Sequence, residues 1–173
     1  MKERSKQNYK EYYELKEIIG RGGFGTVYKG IEKETNELRA IKVIDLEEFK
    51  ENLLCQYEKG EIKEQLHLYI EQCFEEVTNM RICAKNDINS VKCYEYFHNE
   101  DTFVIIMELC DKNLYQLYKE KTYKRFNSEE IYEIMMQLNN TFKIMKENCI
   151  IHRNLKLENI LIKYKDEEHK KYF

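Results

Sequence analysis

The glycine-rich segment at residues 20–27, which reads G-R-G-G-F-G-T-V, has a composition and spacing suited to binding phosphate. Glycines lack a Cβ, so their backbone can approach phosphate oxygens closely and present bare N–H groups to them. Gly20, Gly22 and Gly25 fill a G-x-G-x-x-G pattern. Dinucleotide-binding loops share that pattern, but there a helix follows the last glycine. Here Val27 and its neighbours continue as a β-strand, which predicts a hairpin.

A lysine interrupts the apolar side of the third predicted strand, residues 38–44. Ala40, Lys42 and Ile44 lie on one side of this strand, because successive side chains alternate between faces. One interpretation is a surface lysine whose stem covers apolar atoms. The other is a functional cation. The position of the strand directly after the glycine-rich hairpin favours the functional cation.

A third segment, residues 151–161, reads I-H-R-N-L-K-L-E-N-I-L. Asn154 is nearly isosteric with aspartate but neutral. Its amide can donate and accept hydrogen bonds, but it cannot take up a proton as a carboxylate does. Asn159 offers an amide oxygen, which alone is a poor site for a hard cation that prefers carboxylate and phosphate oxygens.

Taken in this order, the segments resemble the motifs of eukaryotic-type protein kinases. Residues 20–27 match G-x-G-x-x-G-x-V, and residues 40–42 are similar to the end of V-A-I-K. Residues 152–159 resemble the catalytic loop H-R-D-L-K-x-x-N, with Asn154 at the Asp position. The L-K-x-E-N wording is that of the serine/threonine branch. The resemblance covers residues 12–164.

The resemblance implies an ATP site. In the family, the lysine at the position of Lys42 holds the α- and β-phosphates and pairs with a glutamate of the following helix. Glu76 fits that role, since Met80 follows it by four residues, and Glu75 fits it less well. Residues 107–110 resemble the hinge between two lobes, where a large residue backs the adenine pocket and backbone groups bond adenine. The implied ATP-binding residues are Gly20, Gly22, Gly25, Val27, Ala40, Lys42, Glu76, Met107, Glu108 and Cys110.

The resemblance also implies roles in catalysis. Lys156 would neutralise the transferring phosphoryl group, and Asn159 would hold Mg²⁺. Asn154 replaces the carboxylate that accepts the proton of the substrate hydroxyl. By family, a member would transfer the γ-phosphate of ATP to protein Ser/Thr hydroxyls. The substitution predicts impaired catalysis, and the 173-residue chain itself is predicted to be inactive.

The elements that must position these residues follow an α+β order. We expect a protein-kinase-like fold, with a five-stranded antiparallel small lobe and one main helix, followed by the incomplete start of a mainly helical large lobe. The expected divisions are an N-terminal extension (1–12), the small lobe (13–109) and a partial large lobe (110–173). Residues 45–60 form an inserted helical segment that Gly60 interrupts. Asn127 is the predicted N-cap of a long helix with the apolar stripe Ile131, Met135, Leu138, Phe142 and Met145.

Composition limits the other possibilities. The net charge is −3, with basic and acidic residues mixed along the chain, which argues against a nucleic-acid interface. The six cysteines form no C-x-x-C pair and are expected to be reduced. The sequence has no apolar run long enough for a membrane span and no signal-peptide pattern. We expect a cytoplasmic protein, with a nuclear location still open, whose partners are ATP and a protein substrate or protein partner.

No D-F-G occurs among the 173 residues, so the magnesium-binding carboxylate of the family has no counterpart here and Mg²⁺ binding is doubtful. We therefore expect a kinase domain truncated after the catalytic loop. Three interpretations stay open. The chain is a truncated Ser/Thr kinase, a pseudokinase-like ATP-binding or scaffold module acting through protein partners, or an unstable remnant.

Overall fold

A computed structural model describes residues 8–23, 25–55 and 57–164. The chain divides into two compact units. Unit 1 comprises Met1–Arg81 and Lys92–Leu109, and unit 2 comprises Ile82–Val91 and Cys110–Phe173. Residues 1–7 of the expected N-terminal extension, Phe24 of the glycine-rich segment and residues 165–173 of the expected large lobe lie outside the described residues.

A five-stranded antiparallel sheet forms the framework of unit 1, which confirms the predicted fold class. The strands lie in the order β1-β2-β3-β5-β4. Runs rich in β-branched and aromatic residues favour these strands. The strands are β1 (Tyr13–Gly22), β2 (Gly25–Glu32), β3 (Leu38–Asp45), β4 (Cys93–His98) and β5 (Thr102–Glu108).

Cross-strand register determines which side chains share a face of this sheet. Val27 is the register partner of Lys42, and Lys42 is the partner of Ile105. Partners on antiparallel strands point to the same face, so these three side chains form one row across the sheet. Ile41 and Val104, one residue away on their strands, belong to the opposite face.

The helix α2 (Lys59–Asn86) covers the face that carries Lys42. It begins at Lys59, so Gly60 lies in its first turn and does not interrupt it. Its apolar stripe has the predicted helical spacing and packs into the main core with Ile44, Phe103 and Ile105 of the sheet. The members of the stripe in this core are Leu66, Tyr69, Cys73, Val77 and Met80.

A shorter helix, α1 (Leu46–Leu54), occupies the predicted inserted segment. The carboxylate of Asp45 caps it by accepting a hydrogen bond of 3.0 Å from the Glu48 N–H. Leu46 and Leu53 are its buried residues. Their spacing of seven residues places them on one side of the helix, and that side faces the core of unit 1.

Residues 8–12, the described part of the expected N-terminal extension, pack on the opposite face of the sheet. A 3₁₀ turn spans Tyr9–Glu11, and Tyr9 is buried in a cluster with Phe97. The Tyr12 ring stacks 6.0 Å from the Phe97 ring. The Tyr13 hydroxyl donates to the Glu95 carboxylate. Burial raises the pKa of Tyr13, and this hydrogen bond raises it further. This segment is therefore part of the packed unit.

In unit 2, two helices begin at capping boxes. Asn113 and Gln116 cap α3 (Leu114–Glu120), and Asn127 and Glu130 cap α4 (Ser128–Glu147). In each box the asparagine side chain accepts from a backbone N–H of the first turn, and the partner side chain accepts from the asparagine N–H. The short strands β6 (Lys112–Asn113) and β7 (Leu161–Ile162) pair beside α3.

Residues 82–91 pack with unit 2, whereas the expected lobe boundaries place them in the small lobe. The reason is a set of polar contacts to α4. The Thr141 hydroxyl donates to the buried Asp87 carboxylate, and the Asn89 amide donates to the Gln137 carbonyl at 3.1 Å.

One side of the helix α4 packs against the apolar cluster of unit 2. Ile144 is buried and Ile134 contacts the cluster of Leu114, Leu117 and Ile162. Ile131 and Met135 of the predicted stripe are exposed instead. Across the described part of the chain, no helix combines the length and the apolar character that crossing a bilayer requires.

Candidate functional site

The glycine-rich segment forms the turn between β1 and β2. Gly20 pairs with Val27, and Gly22 pairs with Gly25. A Cβ at Gly22 would have no atom within 4 Å, so the space beside this glycine is open. Gly25 has a φ of 111°, and a Cβ there would collide with the Val43 carbonyl and lie 3.2 Å from the Ile44 Cα. Gly25 is therefore required by the turn itself, whereas Gly22 leaves room for a ligand.

Lys42 of β3 and Glu76 of α2 form the central ion pair of unit 1. The Lys42 Nζ lies 2.7 Å from both carboxylate oxygens of Glu76. The helix carries Glu76 on the same side as the buried Val77 and Cys73, so packing of this helix against the sheet brings the carboxylate to the lysine. Glu75, the alternative that the sequence leaves open, is exposed.

The buried Cys73 and the partly buried Tyr69 lie one and two turns before Glu76. Burial, with a further contribution from Glu76, raises the pKa of the Cys73 thiol to about 11. Burial also raises the pKa of Tyr69 to about 12. Both groups are therefore neutral at physiological pH, and the charged groups of this surface are Lys42 and Glu76.

The remaining predicted residues of unit 1 lie around this pair. Cross-strand pairing between β3 and β5 places Ala40 opposite Met107, on the face of the sheet that carries Lys42. Ala40 is buried, and Met107 packs against the main core. The Glu108 N–H donates to the Lys92 carbonyl at 2.9 Å. A hydrogen bond from an adenine amino group at this residue would therefore use the Glu108 carbonyl. Cys110 belongs to unit 2 and is half-buried.

The predicted catalytic loop in unit 2 is held by its own hydrogen bonds. The Asn154 N–H donates to the His152 carbonyl at 2.8 Å, across Arg153, whose φ is 60°. A non-glycine residue with this φ is uncommon and strained. The Asn159 side-chain amide donates to the Asn154 carbonyl at 2.7 Å. The loop thus positions Asn154 and Asn159 together, and the side chain of Lys156 is exposed beside them.

Magnesium does not fit Asn159 by itself. Mg²⁺ prefers six oxygen ligands in octahedral geometry, usually from carboxylates, phosphates and water. Within residues 8–23, 25–55 and 57–164, no three His, Cys, Asp or Glu side chains are grouped so that they could hold a metal ion. The Asn159 amide group donates to a carbonyl, which leaves one amide oxygen for a cation. One oxygen does not make a site.

The sequence interpretation missed one contact near the ion pair. Phe49 of α1 stacks on Tyr69 of α2, with ring centroids 3.8 Å apart and an interplanar angle of 15°. The aromatic residue on the apolar side of α1 was the available signal. The spacing of apolar residues in α1 could not identify Tyr69 as the partner of Phe49, because two helices separated by a loop can dock in several registers.

Comparison with known proteins gives a consistent result. The family model described as "Protein kinase domain" matches residues 13–171. Human homeodomain-interacting protein kinase 4 is 28% identical over 156 residues, which are 90% of this chain and 23% of that protein. Human NUAK family SNF1-like kinase 1 is 31% identical over 158 residues, covering 91% and 21%. Serine/threonine-protein kinase atg1 of Dictyostelium discoideum is 33% identical over 167 residues, also covering 91% and 21%. The chain therefore spans less than a quarter of the length of these relatives.

Proposed function

The chain belongs to the protein kinase domain family, on its serine/threonine branch, and from this membership we propose that unit 1 binds ATP. The observation that carries the proposal is the contact of 2.7 Å between Lys42 and both oxygens of Glu76. In the family this pair must be in place for the lysine to hold the nucleotide phosphates.

Each residue of unit 1 contributes a distinct part of the binding surface. Gly22 leaves open space in which backbone N–H groups can meet phosphate oxygens. Lys42 supplies the cation, and Glu76 fixes the direction of its side chain. Val27, Ala40 and Met107 supply apolar atoms on the same face of the sheet, suited to a planar base.

We infer that phosphoryl transfer to a protein hydroxyl is impaired at Asn154. Bound ATP supplies the γ-phosphoryl group. The Asn154 amide can hydrogen-bond the acceptor hydroxyl and orient it, but it has no carboxylate to accept the proton. A positioned general base contributes ~10²–10⁴-fold to the rate. Lys156 would still offset negative charge on the transferring group.

A second candidate function is a pseudokinase-like module that binds ATP and acts through protein partners. Asn154 favours this function as well, because the loop keeps its hydrogen bonds while its acid–base group is lost. The two functions differ in one result. In a chain extended through a D-F-G, an impaired kinase recovers phosphate transfer with an acid at position 154, whereas a scaffold transfers none in either form.

Calorimetric titration with ATP tests the binding proposal. Lys42→Ala should abolish most of the affinity, whereas Lys16→Ala should leave it unchanged. Lys16 is a matched control, because it is also a strand lysine paired with a glutamate, Glu14 at 2.6 Å, but on an exposed surface. Equal affinities for the wild type and Lys42→Ala would place the nucleotide elsewhere and refute the proposal.

Radiolabelled transfer to a generic Ser/Thr substrate tests the second step. Asn154→Asp should stay inactive in the 173-residue chain, and in a chain extended through a D-F-G it should raise the rate by ~10²-fold or more. His152→Asn is a useful comparison within the same loop, since it adds no acid. Robust transfer by the unmodified 173-residue chain, or equal rates of the Asn154 and Asp forms in the extended chain, would contradict the role assigned to position 154.

A further inference from the structure

The helix α1 is fixed to the sheet of unit 1 independently of α2. Its first N–H, at Leu46, donates to the Asp101 carbonyl at 2.8 Å. The Lys50 ammonium donates to the Glu100 carbonyl at 3.1 Å and to the Glu47 carboxylate at 2.7 Å. These bonds attach α1 to the turn between β4 and β5, so α1 can act as a fixed surface for its neighbour.

That neighbour is the half of α2 that precedes Glu76. Phe49 stacks on Tyr69 with its ring centroid 3.8 Å away, and Leu46 lies fully buried in the same core cluster as Cys73. Aromatic side chains bury large apolar areas, so this stacked pair contributes to holding the two helices together. The contact joins α1 to α2, which residues 55–58 connect along the chain.

Helix geometry connects this contact to the ion pair. Tyr69, Cys73 and Glu76 follow one another at spacings of four and three residues, so they lie on one face of α2. A rigid helix that is held at Tyr69 is also held at Glu76, two turns later. If α2 moved away from the sheet at this end, the carboxylate of Glu76 would leave the Lys42 ammonium.

We propose that α1 is a clamp, formed by Leu46 and Phe49, that holds α2 where Glu76 reaches Lys42. Phe49 and Tyr69 are then positioning residues for the nucleotide site, although neither belongs to the binding surface. The proposal rests on the proposed ATP binding. In this chain a segment of the same polypeptide thus fixes the helix that carries the glutamate.

Alkylation of Cys73 by iodoacetamide measures helix docking without any nucleotide. Cys73 is 4% exposed, and burial keeps its thiol protonated, so it reacts slowly while α2 is docked. Peptide-resolved mass spectrometry of the full chain separates Cys73 from the exposed Cys55 and Cys149. Hydrogen exchange of the backbone amides of β3, which pairs with β2 and β5, reports unfolding of the sheet itself.

Phe49→Ala and Tyr69→Ala should raise the alkylation rate of Cys73 by ~10-fold or more, with little change in the exchange of the β3 amides. The same variants should weaken ATP binding by a similar factor, while Tyr69→Phe, which keeps the ring, should restore both values. Leu54→Ala is the control on the same helix, because Leu54 is 58% exposed, and it should change neither value.

The remaining outcomes would refute the clamp, its link to the nucleotide site, or the proposed ATP binding. An unchanged Cys73 rate, or acceleration at Cys73 that is matched by faster exchange of the β3 amides, would refute the clamp. Faster alkylation with unchanged ATP affinity would refute the link between α1 and the nucleotide site. If the wild type binds no ATP, the proposed function fails, and selective acceleration at Cys73 would still support α1 as the element that holds α2.

Discussion

Replacement of Glu76 by glutamine removes the charge of the central ion pair while keeping the size of the side chain. The Lys42 side chain is 14% exposed and the Glu76 side chain 40% exposed, so the pair lies between a surface pair and a buried one. Exposed pairs contribute ~0.2–1 kcal/mol, and breaking a buried pair costs ~3–5 kcal/mol. Solvent screening at Glu76 moves the value toward the lower range, so we expect a loss of about 1–2 kcal/mol in unfolding free energy.

The same change should also weaken ATP binding, because Lys42 loses the carboxylate that directs its side chain. Glu75→Gln is the matched control: it removes the same charge from the adjacent, exposed position. Chemical denaturation and calorimetric titration of both variants measure the two effects. Equal losses in the two variants would show that net charge, and not the contact with Lys42, determines binding, and would refute the assignment of Glu76.

Three further predictions concern stability. Gly25→Ala should cost about 1–3 kcal/mol of unfolding free energy, because of its φ of 111° and the collision with Val43, whereas Gly22→Ala should cost little. Denaturation of the two variants would contradict this if they were equally stable. Burial lowers the pKa of His98 below its ordinary value of 6.5, so the unfolded chain binds the proton more readily and stability should fall as the pH drops through about 6.5. Melting curves across this range should show a smaller fall for His98→Phe, and an identical fall would exclude His98. Asn127→Ala should destabilise the chain by ~1 kcal/mol through loss of the capping box, and a neutral result in thermal melts would contradict it.

Much of the fold of unit 1 follows from local patterns in the sequence. The continuous apolar run in β5 corresponds to a strand buried on both faces, and the three-and-four spacing along α2 corresponds to one buried face. The N-cap at Asn127 was also predictable, since a capping box involves residues only three apart.

Contacts between distant segments were not predictable in the same way. The packing of Tyr9 and Tyr12 on Phe97, and of Asp87 on Thr141, depends on which surfaces meet after the elements form. A single sequence contains no local signal for such pairs. These contacts explain why residues 8–12 belong to the packed unit and why residues 82–91 pack with unit 2.

The candidate site shows the same division. Spacing identified Lys42 and favoured Glu76 over Glu75, and the structure brings Lys42 and Glu76 into contact. The sequence could not show that Gly25 is demanded by the approach of Val43, because that contact joins two strands. It also could not show that Phe49 reaches Tyr69.

Covalent labelling by an acyl-phosphate derivative of ATP tests most directly whether nucleotide phosphates bind beside Lys42. In this reaction a lysine amine attacks the acyl carbon, an amide forms, and ATP leaves. The acyl group should appear on Lys42, excess ATP should prevent its transfer, and Glu76→Gln should reduce it. Labelling that is absent from Lys42, or that excess ATP does not suppress, would contradict nucleotide binding at this site.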